Sequence, residues 1–128
     1  MNEKVKYWLD LSDYDYDTAV AMQHSGRYLY VGFMCHQTIE KILKAYFNLL
    51  NSEPAPYTHS LSYLAKKAGI YESFSDEFKN FIDILEPLNI EARYPSHKEK
   101  LMKSLTKVKC EEILKNTKEL QSWIKTKL

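Results

Sequence analysis

The sequence predicts an all-α fold, an antiparallel up-and-down bundle of four to five helices that forms a single domain over residues 1–128. Glycine and proline are scarce, at 3 and 4 of 128 residues, which favours long helices over a fold with many turns. Apolar residues recur at steps of three and four along most of the chain, as on one face of a helix. The predicted connections are short, and short connections place consecutive helices antiparallel.

The first predicted helix spans Glu3–His24 and ends before Gly26, a residue suited to the left-handed position after a last turn. Its inward stripe includes Asp15, one of four closely spaced aspartates. Two interpretations of these aspartates remain open: a solvated face, or a face from which Asp15 points inward and holds a basic partner. The four are Asp10, Asp13, Asp15 and Asp17.

The second predicted helix spans Tyr28–Leu50 and is apolar on two sides, which is typical of a central helix. Between the apolar stripes lie His36, Glu40 and Lys44 at steps of four, so they stack on the helix surface. We expect Glu40 and Lys44 to belong to a buried or semi-buried polar network. Because one small bundle would leave part of so apolar a helix uncovered, the sequence also predicts a homodimer.

Three shorter helices follow. The third spans His59–Ala68 after a proline-containing loop at 51–57, and the fourth runs to Pro87, which ends or kinks it. The proline after Tyr94 biases that tyrosine toward extended backbone, so residues 88–100 are predicted to be irregular before a last helix that runs nearly to the C-terminus. The candidate N-terminal caps are Thr58 or Ser60 for the third helix, Ser73 or Ser75 for the fourth, and Thr106 or Ser104 for the last.

Composition and motifs exclude several classes of function. The formal net charge of +1 argues against a general nucleic-acid coat protein but is compatible with a local basic site. Cys35 and Cys110 lie on apolar stripes without metal-ligand spacing, so we expect buried reduced thiols and no metal. No phosphate-binding glycine loop or nucleophile motif is present, and no cofactor is predicted. No signal peptide and no long apolar run is visible, so we expect a cytoplasmic protein without a membrane segment.

Four residues could carry chemistry. Arg93 offers a planar fork of donors to a phosphate or carboxylate, and His97 can transfer a proton near neutral pH, so the pair could act on a phosphodiester. The alternative is structural: an arginine that caps a helix or pairs with an aspartate, and a surface histidine. His36 and His59 carry the same ambiguity, as structural residues or as ligand contacts.

Several strings of the sequence resemble the HEPN domain family, in order and over almost the whole chain. The first helical hairpin of that family is similar to Trp8-Leu9, Asp15, Ala19, Gly26-Arg27-Tyr28 and Met34-Cys35-His36-Gln37-Thr38-Ile39-Glu40-Lys41-Ile42-Leu43-Lys44-Ala45. Its short third helix resembles His59-Ser60-Leu61 with Leu64-Ala65, and its loop before the last helix resembles Ile90-Glu91-Ala92-Arg93-Tyr94-Pro95.

The resemblance implies an antiparallel helical bundle that usually dimerises, with two kinds of role. Many small members are encoded with a minimal nucleotidyltransferase, as a toxin–antitoxin-like pair, and were proposed to bind nucleotides. Others are ribonucleases in which an arginine and a histidine, with a longer spacer than here, meet their copies at the dimer interface. Here only three residues separate Arg93 from His97, one of them Pro95, and Ser96 stands where small members often have an aspartate.

The sequence therefore predicts a HEPN protein that binds a nucleotide-like ligand or a nucleotidyltransferase partner. Two alternatives remain: a metal-independent ribonuclease toxin that cleaves RNA with Arg93 and His97, and a dimerising partner subunit without catalysis. Whether the chain is an enzyme stays open between them. The ligand-binding residues that the resemblance implies are His36, Glu40, Lys41, Lys44, His59, Arg93 and Tyr94.

Overall fold

The chain folds into helices that pack around one central helix. A computed structural model describes residues 2–90 and 94–128. These residues contain six α-helices and no β-strand, so the predicted all-helical fold is confirmed, while the predicted count of four to five helices is too low. The helices are α1 Glu3–His24, α2 Tyr28–Leu50, α3 Leu61–Ala68, α4 Asp76–Leu85, α5 Pro95–Ser104 and α6 Lys107–Lys125, with short 3₁₀ turns at Tyr71–Ser73 and Glu86–Leu88.

The helix absent from the sequence prediction is α5. Residues 88–100 were expected to be irregular, but Pro95 occupies the first turn of a helix. A proline is compatible with that position, because the first N–H groups of a helix have no partner within the helix. Tyr94 does adopt the predicted extended backbone, with φ −73° and ψ 157°, and is the N-cap residue. The same proline therefore starts a helix instead of breaking one.

Side-chain caps fix where the shorter helices begin. Ser60, Ser75 and Thr106 each accept a hydrogen bond from the backbone N–H three residues ahead, so one of the two predicted caps is confirmed in each case. Because Ser60 is the cap, α3 begins at Leu61, two residues after the predicted His59.

The first two helices form an antiparallel hairpin. They are joined by a tight turn in which Gly26 has a φ of +74°, a backbone angle that residues with a Cβ atom rarely adopt. Trp8 near the start of α1 bonds to Asn48 near the end of α2, and Asp15 farther along α1 bonds to Lys41. The contacting residue on α2 moves toward the start of that helix as the residue on α1 moves toward the end of its own. The two helices therefore run antiparallel. α6 packs against both helices.

A single chain already covers most of α2. Of its 23 residues 13 are buried, including members of both apolar stripes. The homodimer was predicted from an uncovered face of this helix; its exposed residues are Tyr30, Leu49 and Leu50, near its two ends. No helix among the described residues is long and apolar enough to cross a membrane.

Both cysteines are buried free thiols, as predicted. Burial raises the pKa of Cys35 to about 12 and that of Cys110 to about 11. The thiolate is the reactive form of cysteine, so these two side chains act as small apolar core residues.

Leu105 anchors the C-terminal end of α5. Its side chain is 4% exposed, and a Cβ added at Gly32 of α2 would lie 3.3 Å from its Cδ1 atom. We predict that Leu105→Ala lowers the free energy of unfolding by roughly 2–5 kcal/mol, because it leaves a cavity. The matched control Val108→Ala, at a side chain 68% exposed, should cost under about 0.5 kcal/mol. Urea denaturation of both variants tests this, and equal losses would contradict it.

Candidate functional site

A ridge of four polar side chains lies buried along α2. His36, Glu40, Lys44 and Asn48 follow one another at steps of four and are 0%, 2%, 6% and 3% exposed. The predicted burial of Glu40 and Lys44 is therefore confirmed. Asn48 extends the ridge by one more step, and the same spacing in the sequence could have identified it.

The carboxylate of Glu40 is the centre of the network. Its Oε1 atom accepts a hydrogen bond from His59 Nδ1 at 2.9 Å, and its Oε2 atom accepts one from Lys44 Nζ at 3.2 Å. A buried carboxylate is tolerated when it is paired and hydrogen-bonded, and these two partners satisfy both conditions. Because a carboxylate only accepts, Nδ1 of His59 carries the proton. In the tautomer with the proton on Nδ1, Nε2 carries the lone pair, and no hydrogen bond to Nε2 is formed by residues 2–90 and 94–128.

Lys44 connects this centre to α1 and to the loop after α2. Its ammonium lies 5.0 Å from the centroid of the Trp8 ring, within the range of a cation–π contact. Trp8 Nε1 donates to Asn48 Oδ1 at 3.2 Å. The amide of Asn48 in turn donates to the carbonyls of Asn51 and Glu53, at 3.2 and 2.7 Å, which holds the loop against α2.

His36 is a buried neutral residue. Burial lowers the pKa of its imidazole, against the opposing effects of the Glu40 carboxylate, the side chain of Gln37, the Glu86 carboxylate and the His59 backbone. Its Nδ1 atom lies 3.3 Å from Gln37 Oε1 and 3.9 Å from Glu40 Oε1. Its Nε2 atom finds no hydrogen-bond partner among residues 2–90 and 94–128.

The 3₁₀ turn after α4 joins the network to α5. Glu86 accepts a hydrogen bond from the backbone N–H of Ser62 at 2.9 Å, in the first turn of α3. The carbonyl of Pro87 is 2.9 Å from His97 Nε2, so this nitrogen carries the proton and donates it. Glu86 could not be identified from the sequence. The Ser62 N–H that it accepts from and the His36 ring that its charge affects belong to helices distant in the chain.

The other predicted site residues lie elsewhere. Lys41 pairs with Asp15 at 2.7 Å on the side of α2 that faces α1, which confirms that Asp15 points inward to a basic partner. Tyr94 is 82% exposed at the start of α5, and Arg93 lies outside the described residues. The structure thus brings together His36, Glu40, Lys44 and His59. In the described parts of the chain, no group of three or more His, Cys, Asp or Glu side chains could hold a metal ion.

The fold and the site define an all-helical protein whose central helix buries a charged ridge. The family model of the HEPN domain matches residues 5–127, so the chain belongs to the HEPN family. Its structure is similar to the crystal structure of TT1696 from Thermus thermophilus, with a TM-score of 0.83 and 18% sequence identity over 99% of this chain and 100% of that chain. At this identity the likeness shows the fold alone. A comparison with curated proteins gives no match.

The Glu40–Lys44 pair should be sensitive to the loss of one partner. We predict that Glu40→Ala destabilises the fold by roughly 3–5 kcal/mol, because it leaves the Lys44 charge buried without its carboxylate. The double variant Glu40→Gln/Lys44→Met should recover most of this loss, since no unpaired charge remains. Glu99→Ala, at an exposed glutamate of α5, is the matched control. A Glu40→Ala protein as stable as wild type in urea denaturation would refute the pairing.

The lowered pKa of His36 predicts a dependence of stability on pH. As the pH falls through the ordinary histidine pKa of 6.5, the unfolded chain binds a proton that the folded chain does not. The contribution of His36 to the free energy of unfolding is therefore fully present above pH 6.5. Below pH 6.5 this free energy decreases, by at most about 1.4 kcal/mol per pH unit. We expect His36→Gln to flatten this decrease and His24→Gln, at an exposed histidine, to leave it unchanged. Thermal unfolding between neutral and mildly acidic pH gives the slopes, and identical slopes would exclude His36 as their source.

Proposed function

We propose that this HEPN protein is a binding module for a nucleotide-like ligand or a nucleotidyltransferase partner, in a toxin–antitoxin-like system. The observation that supports binding over RNA cleavage is the short spacer: only three residues, one of them Pro95, separate Arg93 from His97. The ribonucleases that the sequence resembles have a longer spacer between these two residues. The Nε2 atom of His97 donates to the Pro87 carbonyl at 2.9 Å, which holds the ring at the start of α5 and leaves Nδ1 as the nitrogen that could exchange a proton.

The two predicted lysine ligands are already neutralised within the chain. Lys44 pairs with Glu40 and Lys41 pairs with Asp15, so neither offers an unpaired charge to a phosphate. We therefore assign the anion-binding role to Arg93, whose planar fork of donors suits a phosphate or carboxylate. Tyr94, 82% exposed beside it in the sequence, offers an aromatic face on which a nucleobase could stack.

The buried network positions a further candidate contact, the ring of His59. Glu40 orients the half-exposed ring of His59, and the open Nε2 atom of that ring can accept a hydrogen bond from a ligand. His36, Glu40 and Lys44 contribute by holding the loop and α3 in place, without touching the ligand.

Binding is tested with ATP as the probe. We expect Arg93→Ala to weaken ATP binding at least about tenfold, a loss of about 1.4 kcal/mol, because a charge-assisted contact is removed. Arg27→Ala, at the exposed arginine in the turn between α1 and α2, is the matched control and should bind as wild type does. His97→Ala should also bind normally, while losing roughly 0.5–1.5 kcal/mol of stability with its hydrogen bond to Pro87. Calorimetric titration and urea denaturation measure the two effects.

The ribonuclease alternative gives the opposite pattern. RNA cleavage by the wild-type chain in the presence of a metal chelator, abolished by Arg93→Ala and by His97→Ala alike, would overturn the binding proposal. In that case the two residues act in one step, and the double variant would be no worse than either single variant.

A further inference from the structure

A groove between α4 and α6 shares no residue with the buried ridge of α2. Its volume is about 320 Å³, and Phe78, Phe81 and Ile84 provide its apolar lining along α4. Phe81 is 5% exposed, whereas Ile84 is 47% exposed and keeps much of its apolar surface in contact with water. Burial of that surface is favourable, so the groove is suited to a partner that brings apolar side chains.

Polar groups of the same two kinds line both sides of the groove. Glu77 and Asn80 line it from α4, and Asn116 and Glu119 line it from α6. All four residues are exposed. Each helix thus contributes one carboxylate and one amide, while no lysine, arginine or histidine of residues 2–90 and 94–128 lines the groove.

The lysines nearest to these glutamates in the sequence leave them unpaired. The ammonium of Lys79 lies 4.9 Å from the centroid of the Tyr71 ring, within the range of a cation–π contact. The ammonium of Lys118 lies 4.9 Å from the centroid of the Tyr16 ring on α1. Lys115 is one turn from the glutamate on α6. Neither glutamate of the groove forms an ion pair with it or with any other cation of the described residues.

The acidic character extends along α4. Residues 72–83 contain four acidic residues and one lysine, a formal charge of −3, in a chain whose formal net charge is +1. Asp76 and Glu77 occupy the first turn of α4, where the helix dipole favours negative charge. A surface of this kind attracts a cationic partner and repels an acidic one.

We propose that the α4–α6 groove binds a basic amphipathic helix of a partner protein. The apolar residues of that helix, at steps of three and four, cover Phe81 and Ile84. Its lysines or arginines flank the apolar stripe on both sides, as the e and g residues of a coiled coil flank the a and d residues. One basic row then faces Glu77 of α4 and the other faces Glu119 of α6. The inference does not depend on the binding of a nucleotide-like ligand.

The groove is tested on the full chain with a synthetic helical peptide of leucine and lysine, with leucine at the a and d positions. We expect Glu77→Gln/Glu119→Gln to raise the dissociation constant of this peptide at least about tenfold, because both charged contacts are lost. Ile84→Ala should raise it about fivefold, because apolar contact is lost. Calorimetric titration gives the constants, and circular dichroism confirms that each variant is folded.

Two matched controls separate the groove from general effects. Glu53→Gln/Glu99→Gln removes the same charge at exposed residues that do not line the groove. Val108→Ala shortens an apolar side chain that is 68% exposed and lies outside the groove. Both controls should bind the leucine–lysine peptide as the wild type does. A peptide with glutamate in place of every lysine should not bind the wild type.

Four results would overturn the proposal. The wild type may fail to bind the leucine–lysine peptide, or bind the glutamate peptide as tightly. The control variants may weaken binding as much as the groove variants do, which would indicate a general charge effect. Finally, a wild type that sediments as a dimer and that Glu77→Gln/Glu119→Gln dissociates would show that a second copy of the chain fills the groove.

Discussion

The buried carboxylate of Glu40 is the interaction on which the rest of this structure depends. A charge 2% exposed on the central helix requires compensation from within the chain, because water cannot solvate it. Lys44, one turn further along α2, supplies the opposite charge, and His59 supplies a hydrogen bond from a loop distant in sequence. Lys44 also lies against the ring of Trp8 on α1. One ionised group thereby fixes how α1, α2 and the segment leading into α3 are placed relative to one another.

This arrangement separates the support of the site from its contact surface. Buried lysine and glutamate neutralise each other, so the network adds rigidity without attracting an anion. Exposed groups outside the network remain available to a ligand or partner: the half-exposed ring of His59, the exposed ring of Tyr94, and Lys100 and Lys103 of α5. The 3₁₀ turn at Glu86–Leu88 connects α3 to α5. Glu86 accepts a hydrogen bond from the backbone of the first turn of α3, and the Pro87 carbonyl accepts one from His97 at the start of α5.

Periodicity in the sequence was sufficient to predict the bounds of α1 and α2 and the burial of Glu40 and Lys44, because helical spacing determines which side chains share a face. It could not show what covers that face. The chain itself buries 13 of the 23 residues of α2, and the apolar side chains that stay exposed, Tyr30, Leu49 and Leu50, lie near the ends of the helix. Pro95 was misjudged because proline both starts and breaks helices, and only the backbone on either side distinguishes the two. Glu86 was missed because no local pattern marks a carboxylate whose partners come from tertiary packing.

The tautomer of His59 tests this account most directly. A buried, ionised Glu40 that accepts from Nδ1 requires the neutral ring to carry its proton on Nδ1 and its lone pair on Nε2. Nitrogen-15 NMR of the histidine side chains at neutral pH distinguishes the two ring nitrogens. The account predicts a protonated Nδ1 in the wild-type chain and a shift away from that tautomer in Glu40→Gln. A His59 ring with its proton on Nε2, unchanged by that substitution, would contradict the central role of Glu40.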